Sequence, residues 1–253
     1  MKTIIFIHGL FMNPKSWDQW SAFFTEKGYV CHAPAYPYHE GEPLVLRSSI
    51  DPRLGQVTLA DCVEYLLRYI DSLDLQEKPI LLGHSMGGLI VQKLIEMGKG
   101  SMGVCIDSAP PRGITSYKWS FLRANLAVVN PLMGNSVFAP SHAWFRYAFC
   151  HTMTHADARK VFDEYVVSES RNIPRSSDKD AGTIDFNKSH SPLLFIAGEK
   201  DHIIPSSLNK KNFAAYSTES GKKDFKEFPG RTHFICGQKD WEEVATFIAS
   251  WFA

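Results

Sequence analysis

Residues 79–91, Pro-Ile-Leu-Leu-Gly-His-Ser-Met-Gly-Gly-Leu-Ile-Val, constrain the fold more than any other stretch of the chain. Ile80, Leu81 and Leu82 form an apolar run with the length of a buried strand. Leu89, Ile90, Leu94 and Ile95 then repeat at helical spacing. The chain must therefore pass from strand to helix through Gly83-His84-Ser85-Met86-Gly87, with one serine at the apex. So sharp a turn puts Ser85 in an unfavourable backbone conformation and excludes a Cβ at the flanking glycines. The hydroxyl is left open at a helix N-terminus, where the partial positive charge favours a nearby oxyanion. A Gly-x-Ser-x-Gly pentapeptide alone is equally compatible with a turn made for packing. The choice depends on whether a base, an acid and an oxyanion donor lie near it.

The rest of the chain alternates strands and helices around that turn. Thr3 to Ile7 reads as a strand that runs into His8-Gly9-Leu10-Phe11. The glycine lets the backbone approach a reacting carbonyl, and the Leu10 amide would point at it. Ser16-x-x-Gln19 has the form of a capping box, and Trp17, Trp20, Phe23 and Phe24 form a helical stripe that ends near Gly28. Such a stripe is expected in the core. Tyr29 to Ala33 is a strand, Pro34 to Gln56 a long loop, and Thr58 caps a helix reaching about Leu73. Another short strand, Val104 to Ile106, leads into Asp107. From Arg112 to about Ser191 the alternation stops and helical patterns take over, which reads as an inserted lid; Ile173 to Asp185 reads as its exit loop. Leu193 to Ala197 resumes the alternation and runs into Gly198-Glu199-Lys200-Asp201-His202. A helix near 207–216, a strand at Phe225 to Phe228, a loop holding His233 and a closing helix follow.

This pattern implies an α/β fold: a doubly wound, mainly parallel sheet of about six strands flanked by helices. The core comprises 1–111 and 192–253, with 112–191 inserted as the lid. Ligands bind such sheets along the carboxyl edge of the strands. Ser85, Asp201 and His233 each follow a strand and so share that edge. A serine hydroxyl needs a base, an imidazole can accept its proton, and a carboxylate can hold the imidazole's tautomer. The N–H groups of Leu10 and Met86 would hold the oxyanion. Asp107 also follows a strand and is the rival acid. Phe11, Trp144 and Phe145 are the pocket candidates.

With these motifs in place, the chain resembles the α/β-hydrolase fold superfamily, in its single-domain esterase and lipase-like branch with a helical lid. His8-Gly9, Gly83 to Gly88, Gly198 to Pro205 and Gly230 to Phe234 carry the resemblance, which spans nearly the whole length. It implies a Ser85–His233–Asp201 triad, a nucleophile elbow and an oxyanion hole that cleave carboxylic esters through an acyl-enzyme. The usual N-terminal hairpin of the family is missing. Thioesters, lactones and perhydrolysis use the same triad, and hydrolase-fold receptors that turn over slowly also keep it.

Composition excludes other classes. The 27 basic and 27 acidic residues balance and form no long run of one sign, so neither nucleic acid nor a membrane is an expected partner. The five scattered cysteines have no metal-ligand spacing and read as free thiols in a cytoplasmic protein. No cofactor or metal is called for. His151 and His155, four apart with Asp157 nearby, make only a weak metal pattern, and His8, His84 and His202 are expected to hold loops.

Overall fold

The computed structural model describes residues 2–252. Its strands, in chain order, are β1 (Thr3–Ile7), β2 (Val30–His32), β3 (Ile80–His84), β4 (Met102–Ile106), β5 (Val137–Phe138), β6 (Glu169–Ser170), β7 (Leu193–Gly198) and β8 (Lys223–Phe228). The helices are α1 (Asp18–Glu26), α2 (Pro43–Ser48), α3 (Leu59–Ser72), α4 (Met86–Glu96) and α5 (Trp119–Val129). They continue with α6 (His142–Phe149), α7 (His155–Tyr165), α8 (Asn172–Ser176), α9 (Ser206–Ala215) and α10 (Glu242–Trp251).

Six strands pair in the order β2-β1-β3-β4-β7-β8, and every pairing is parallel. β1, β3, β4 and β7 lie inside the sheet and are covered on both faces, which is why they read as continuous apolar runs. β8, Lys-Asp-Phe-Lys-Glu-Phe, is mostly polar and turns Phe225 and Phe228 to opposite faces, as suits a partly exposed edge strand. Successive side chains of a strand point to opposite faces. Ile4, Phe6, Leu82, Val104 and Ile196 therefore meet α1 and α10 through Trp20, Phe24, Val244 and Ile248. Ile5, Ile7, Leu81, Cys105 and Phe195 meet α3, α4 and α9 on the other side. The aromatic stripe of α1 is core, as expected: Trp17 stacks on Phe6 at 5.1 Å and the Trp20 indole donates to Cys236 O at 2.7 Å.

Local signals set the helix starts, with one correction. Thr58 and Asp61 make a reciprocal capping box on α3. Ser16 caps nothing. Asn13 caps a 3-10 turn, Pro14–Trp17, that leads into α1, and the Ser16 hydroxyl donates back to Asn13 O. Loops also gained structure. Residues 34–56 contain α2 and a 3-10 turn at Pro52–Gln56. Residues 173–185, expected as surface loop, hold most of α8 and another 3-10 turn, with Ile173 buried. The Ser176 hydroxyl there accepts Leu59 N–H at 2.9 Å, a contact between distant segments that no local pattern announces.

Between β4 and β7 the chain leaves the sheet and forms α5 to α8 together with the antiparallel pair β5–β6. Two contacts fasten this insertion to the loops that follow β1 and β2. Val167 N–H donates to Phe11 O at 2.9 Å. Fully buried His39 and Glu169 pair at 3.1 Å. Burial, the largest single effect, lowers the His39 pKa, but the Glu169 charge together with the hydrogen bonds to Glu169 and to Pro37 O outweighs it and leaves the imidazole raised. Among the described residues, no helix is long and apolar enough to cross a membrane. All five cysteines are free, and four of them are buried.

Candidate active site

Ser85 has φ 56° and ψ −119° at the head of α4. Its N–H donates to Ile106 O at 2.9 Å and its carbonyl accepts Ala109 N–H at 2.8 Å, so β4 and the loop after it clamp the turn. The flanking glycines are required by close approach. A Cβ on Gly83 would run into the Gly87 carbonyl, and one on Gly87 would run into Ile7 O. Gly9 stands just as close: a Cβ there would lie 2.8 Å from Ser85 Cβ. The His8-Gly9 loop therefore lies against the serine.

Asp201 and His233 meet as the spacing predicts. His233 Nδ1 is 2.6 Å from Asp201 Oδ2, and both side chains are fully buried. Asp201 Oδ1 accepts N–H groups from Ile203 and Ile204, each at 2.8 Å. These two amides fix the carboxylate. Burial pushes the His233 pKa down to about 3, so the ring is neutral at neutral pH. Its Nε2 is buried and has no hydrogen-bond partner among the described residues, so the Ser85 hydroxyl does not bond to it here.

Asp107 lies in the same cluster but in a different role. Its Oδ1 accepts Gly198 N–H at 2.7 Å, and its Oδ2 has no partner. Burial, then the Asp201 charge, pushes its carboxyl well above the usual range. Burial raises Asp201 as well, but two N–H donors oppose it there. Asp201 is accordingly the better anion of the two and the one in contact with the ring. Asp107, His84 and His233 bring donor atoms within 4.8 Å of one another. One nitrogen of each imidazole is engaged, His84 Nε2 with His233 O at 2.8 Å and His233 Nδ1 with Asp201.

Leu10 and Met86 flank Ser85, and among the described residues neither N–H has an acceptor. Phe11, next in the loop, has φ 67°, a left-handed conformation that is strained for an aromatic residue. A cavity of about 220 Å³ opens over the serine, lined by Leu10, Phe11, Met86, Phe121, Leu122 and Leu126 among others, and is almost wholly apolar. Of the pocket candidates, only Phe11 lines it. Trp144 packs edge-on against Phe11 at 4.9 Å and donates its indole N–H to Ala124 O, while Phe145 is buried behind Phe149. Both stand behind the wall because their side chains turn toward the core of the insertion. The lining residues that sequence reading missed come mostly from α5, with Pro174, Ile203 and Ile204 among the others; of the aromatic cluster around Trp144 it is Phe149 that lines the cavity, and it meets the His233 ring at 4.6 Å. The three-and-four spacing of Leu122, Leu126 and Val129 was the available signal.

His8 and His202, like His84, bond to backbone in loops or at element ends. His8 Nε2 accepts Tyr36 N–H at 3.1 Å. His151 lies in the turn before α7, so it shares no helix face with His155, and it stacks on His202 at 3.5 Å.

Residues 4–247 match the sequence profile of the alpha/beta hydrolase family, and the chain belongs to that family. No curated protein sequence matches it. Solved structures of similar fold include a monoacylglycerol lipase from Paleococcus ferrophilus, 19% identical, with a TM-score of 0.69 over 98% of this chain and 93% of that one. Tomato methylketone synthase I in complex with 2-tridecanone is 18% identical, with a TM-score of 0.71 over 98% and 96%. An Arabidopsis methylesterase is 13% identical, with a TM-score of 0.69 over the full length of both. At these identities the likeness is one of fold.

Proposed function

We propose that this protein is a serine hydrolase that cleaves carboxylic esters with an apolar acyl or alcohol part. The observation that carries the reading is a neutral imidazole, tied through Nδ1 to a carboxylate and with its other nitrogen unpartnered among the described residues, on the same sheet edge as a serine at a strained turn. Ser85 is the nucleophile, His233 the base and Asp201 the group that holds the tautomer. The Ser85 hydroxyl passes its proton to His233 Nε2 as its oxygen bonds to the ester carbon. The oxyanion so formed takes hydrogen bonds from Leu10 N–H and Met86 N–H. Collapse breaks the bond to the alkoxy oxygen, which leaves with the proton from Nε2, and water repeats the cycle on the acyl-enzyme. The bond from Ser85 to Nε2 must form on substrate binding, as such contacts often tighten only in the complex.

Residues 112–191 act as the lid in this reading, since α5 supplies much of the apolar wall. Similar folds that carry the names lipase, esterase and methylesterase agree with an ester substrate. Fluorophosphonate labelling of Ser85, together with an initial burst on an activated aryl ester, is the test. Absence of both across a range of acyl lengths would end the proposal. The unmade Ser85–His233 bond favours one second reading, a slow ligand-binding protein on the same fold. That reading predicts a ligand that raises Tm strongly while being hydrolysed negligibly.

A further inference from the structure

The charge balance of the whole chain conceals an uneven distribution. From Ser108 to Ala156 there is no Asp or Glu, while Arg112, Lys118, Arg123 and Arg146 all fall within that stretch. The first three are exposed. The most exposed apolar side chains of the molecule lie there too: Leu132 at 91%, Tyr117 at 83% and Trp119 at 72%. In the neighbouring segment, where the Arg175 guanidinium donates to the Val129 and Asn130 carbonyls at the end of α5, Arg175 and Lys179 are balanced by Asp178 and Asp180, so the excess of positive charge comes from residues 108–156.

The exposed apolar residues are continuous with the cavity. Trp119, Leu122, Leu126 and Val129 follow one another at spacings of three and four, which places them on one stripe of α5. The last three line the cavity, and Leu126 is also exposed to solvent. The stripe thus runs from open water to the wall above Ser85. An apolar stripe flanked by cations, with Tyr and Trp at its outer end, is the pattern of a helix that lies in a membrane interface. A second copy of the chain suits this face less well. A two-fold contact would set the patch against itself and bring its cations together with no carboxylate from residues 108–156 to offset them.

We propose that residues 117–133 dock this protein on an anionic lipid surface, with the cavity mouth turned toward the bilayer. Uptake of an acyl substrate from that surface rests on the hydrolase reading above; the docking does not. Sedimentation with vesicles of phosphatidylcholine, alone or mixed with phosphatidylglycerol, tests it. The native chain should bind the mixed vesicles, and pure phosphatidylcholine about tenfold more weakly. The triple variant Tyr117→Ser, Trp119→Ser, Leu132→Ser should lose about tenfold or more in binding to mixed vesicles while its turnover of a soluble short-chain ester stays unchanged. Lys118→Gln should cost about fivefold on mixed vesicles only. Ser85→Ala should bind as the native chain does. Failure of the native chain to sediment with mixed vesicles would overturn the proposal, as would equal binding to both vesicle types. So would a native dimer in analytical ultracentrifugation that the triple variant abolishes. Binding to mixed vesicles without hydrolysis of any ester would support docking and count against the hydrolase reading alone.

Discussion

The two halves of the cavity wall are built on different terms. The sheet half presents Ser85, Leu10, Met86 and, behind them, Asp201 and His233, all set just beyond strand ends and held by backbone hydrogen bonds. The insertion half presents Phe121, Leu122 and Leu126 from one helix, which packs into the insertion through Ala124 and Val128. In the first half a side chain's identity is fixed by the chemistry proposed for it. In the second half only size and polarity matter. Rate should therefore be lost through the sheet half and selectivity through the insertion.

That division can be broken by substitution. Ser85→Ala should abolish turnover, by on the order of 10⁶-fold in kcat if the three residues act as a unit. Asp201→Asn should cost about 10⁴-fold by allowing the wrong tautomer, against about tenfold for Asp107→Asn, measured as kcat/KM on one ester. The reverse ranking would make Asp107 the acid. Leu122→Trp should narrow the cavity and reduce kcat/KM for long acyl chains by about 10- to 100-fold with short ones nearly unaffected. An equal loss on all chain lengths would erase the distinction between the halves.

Acid should act on both rate and stability. Burial lowers the pKa of His8, His84 and His233 below that of an ordinary imidazole. Below about pH 6.5 the unfolded chain then binds more protons than the folded one, so Tm should fall as pH falls through that range. His39, raised by Glu169, works in the opposite direction and offsets part of the loss. The acid limb of kcat/KM should lie below pH 6.5, because His233 stays neutral there. The smallest effect concerns the scaffold alone: Thr58→Ala should cost about 1 kcal/mol, or about 2–4 °C in Tm, with kcat unchanged.

The same division decides what can be read from the sequence. The sheet and its rim were legible because each central strand is an apolar run, and Gly-x-Ser-x-Gly, Asp201 and His233 follow strand ends. Local grammar sufficed. Trp144 and Phe145 were named for the cavity because they are aromatic and close together, but their direction depends on how α6 packs against α5 and α7. The short β5–β6 pair escaped notice for a similar reason, since its partners are more than thirty residues apart in the chain and two residues long each. The fold of α8 onto α3 through Ser176 is likewise a meeting of distant segments. Asp201 outranked Asp107 on loop pattern, but the physical reason, the paired amides of Ile203 and Ile204, emerges only in three dimensions.

Phe149 belongs to the insertion by chain position and to the imidazole by contact. Its carbonyl accepts Phe234 N–H at 3.2 Å, and its ring leans on His233. In the proposed mechanism, mutation could reshape α5 over generations without disturbing the proton path, because the aromatic partners of the ring are Phe149 and His84 and lie outside that helix. A shift of residue 149 would drag the imidazole with it. Drift in what the protein accepts and loss of its ability to react are thus welded together at a single phenylalanine.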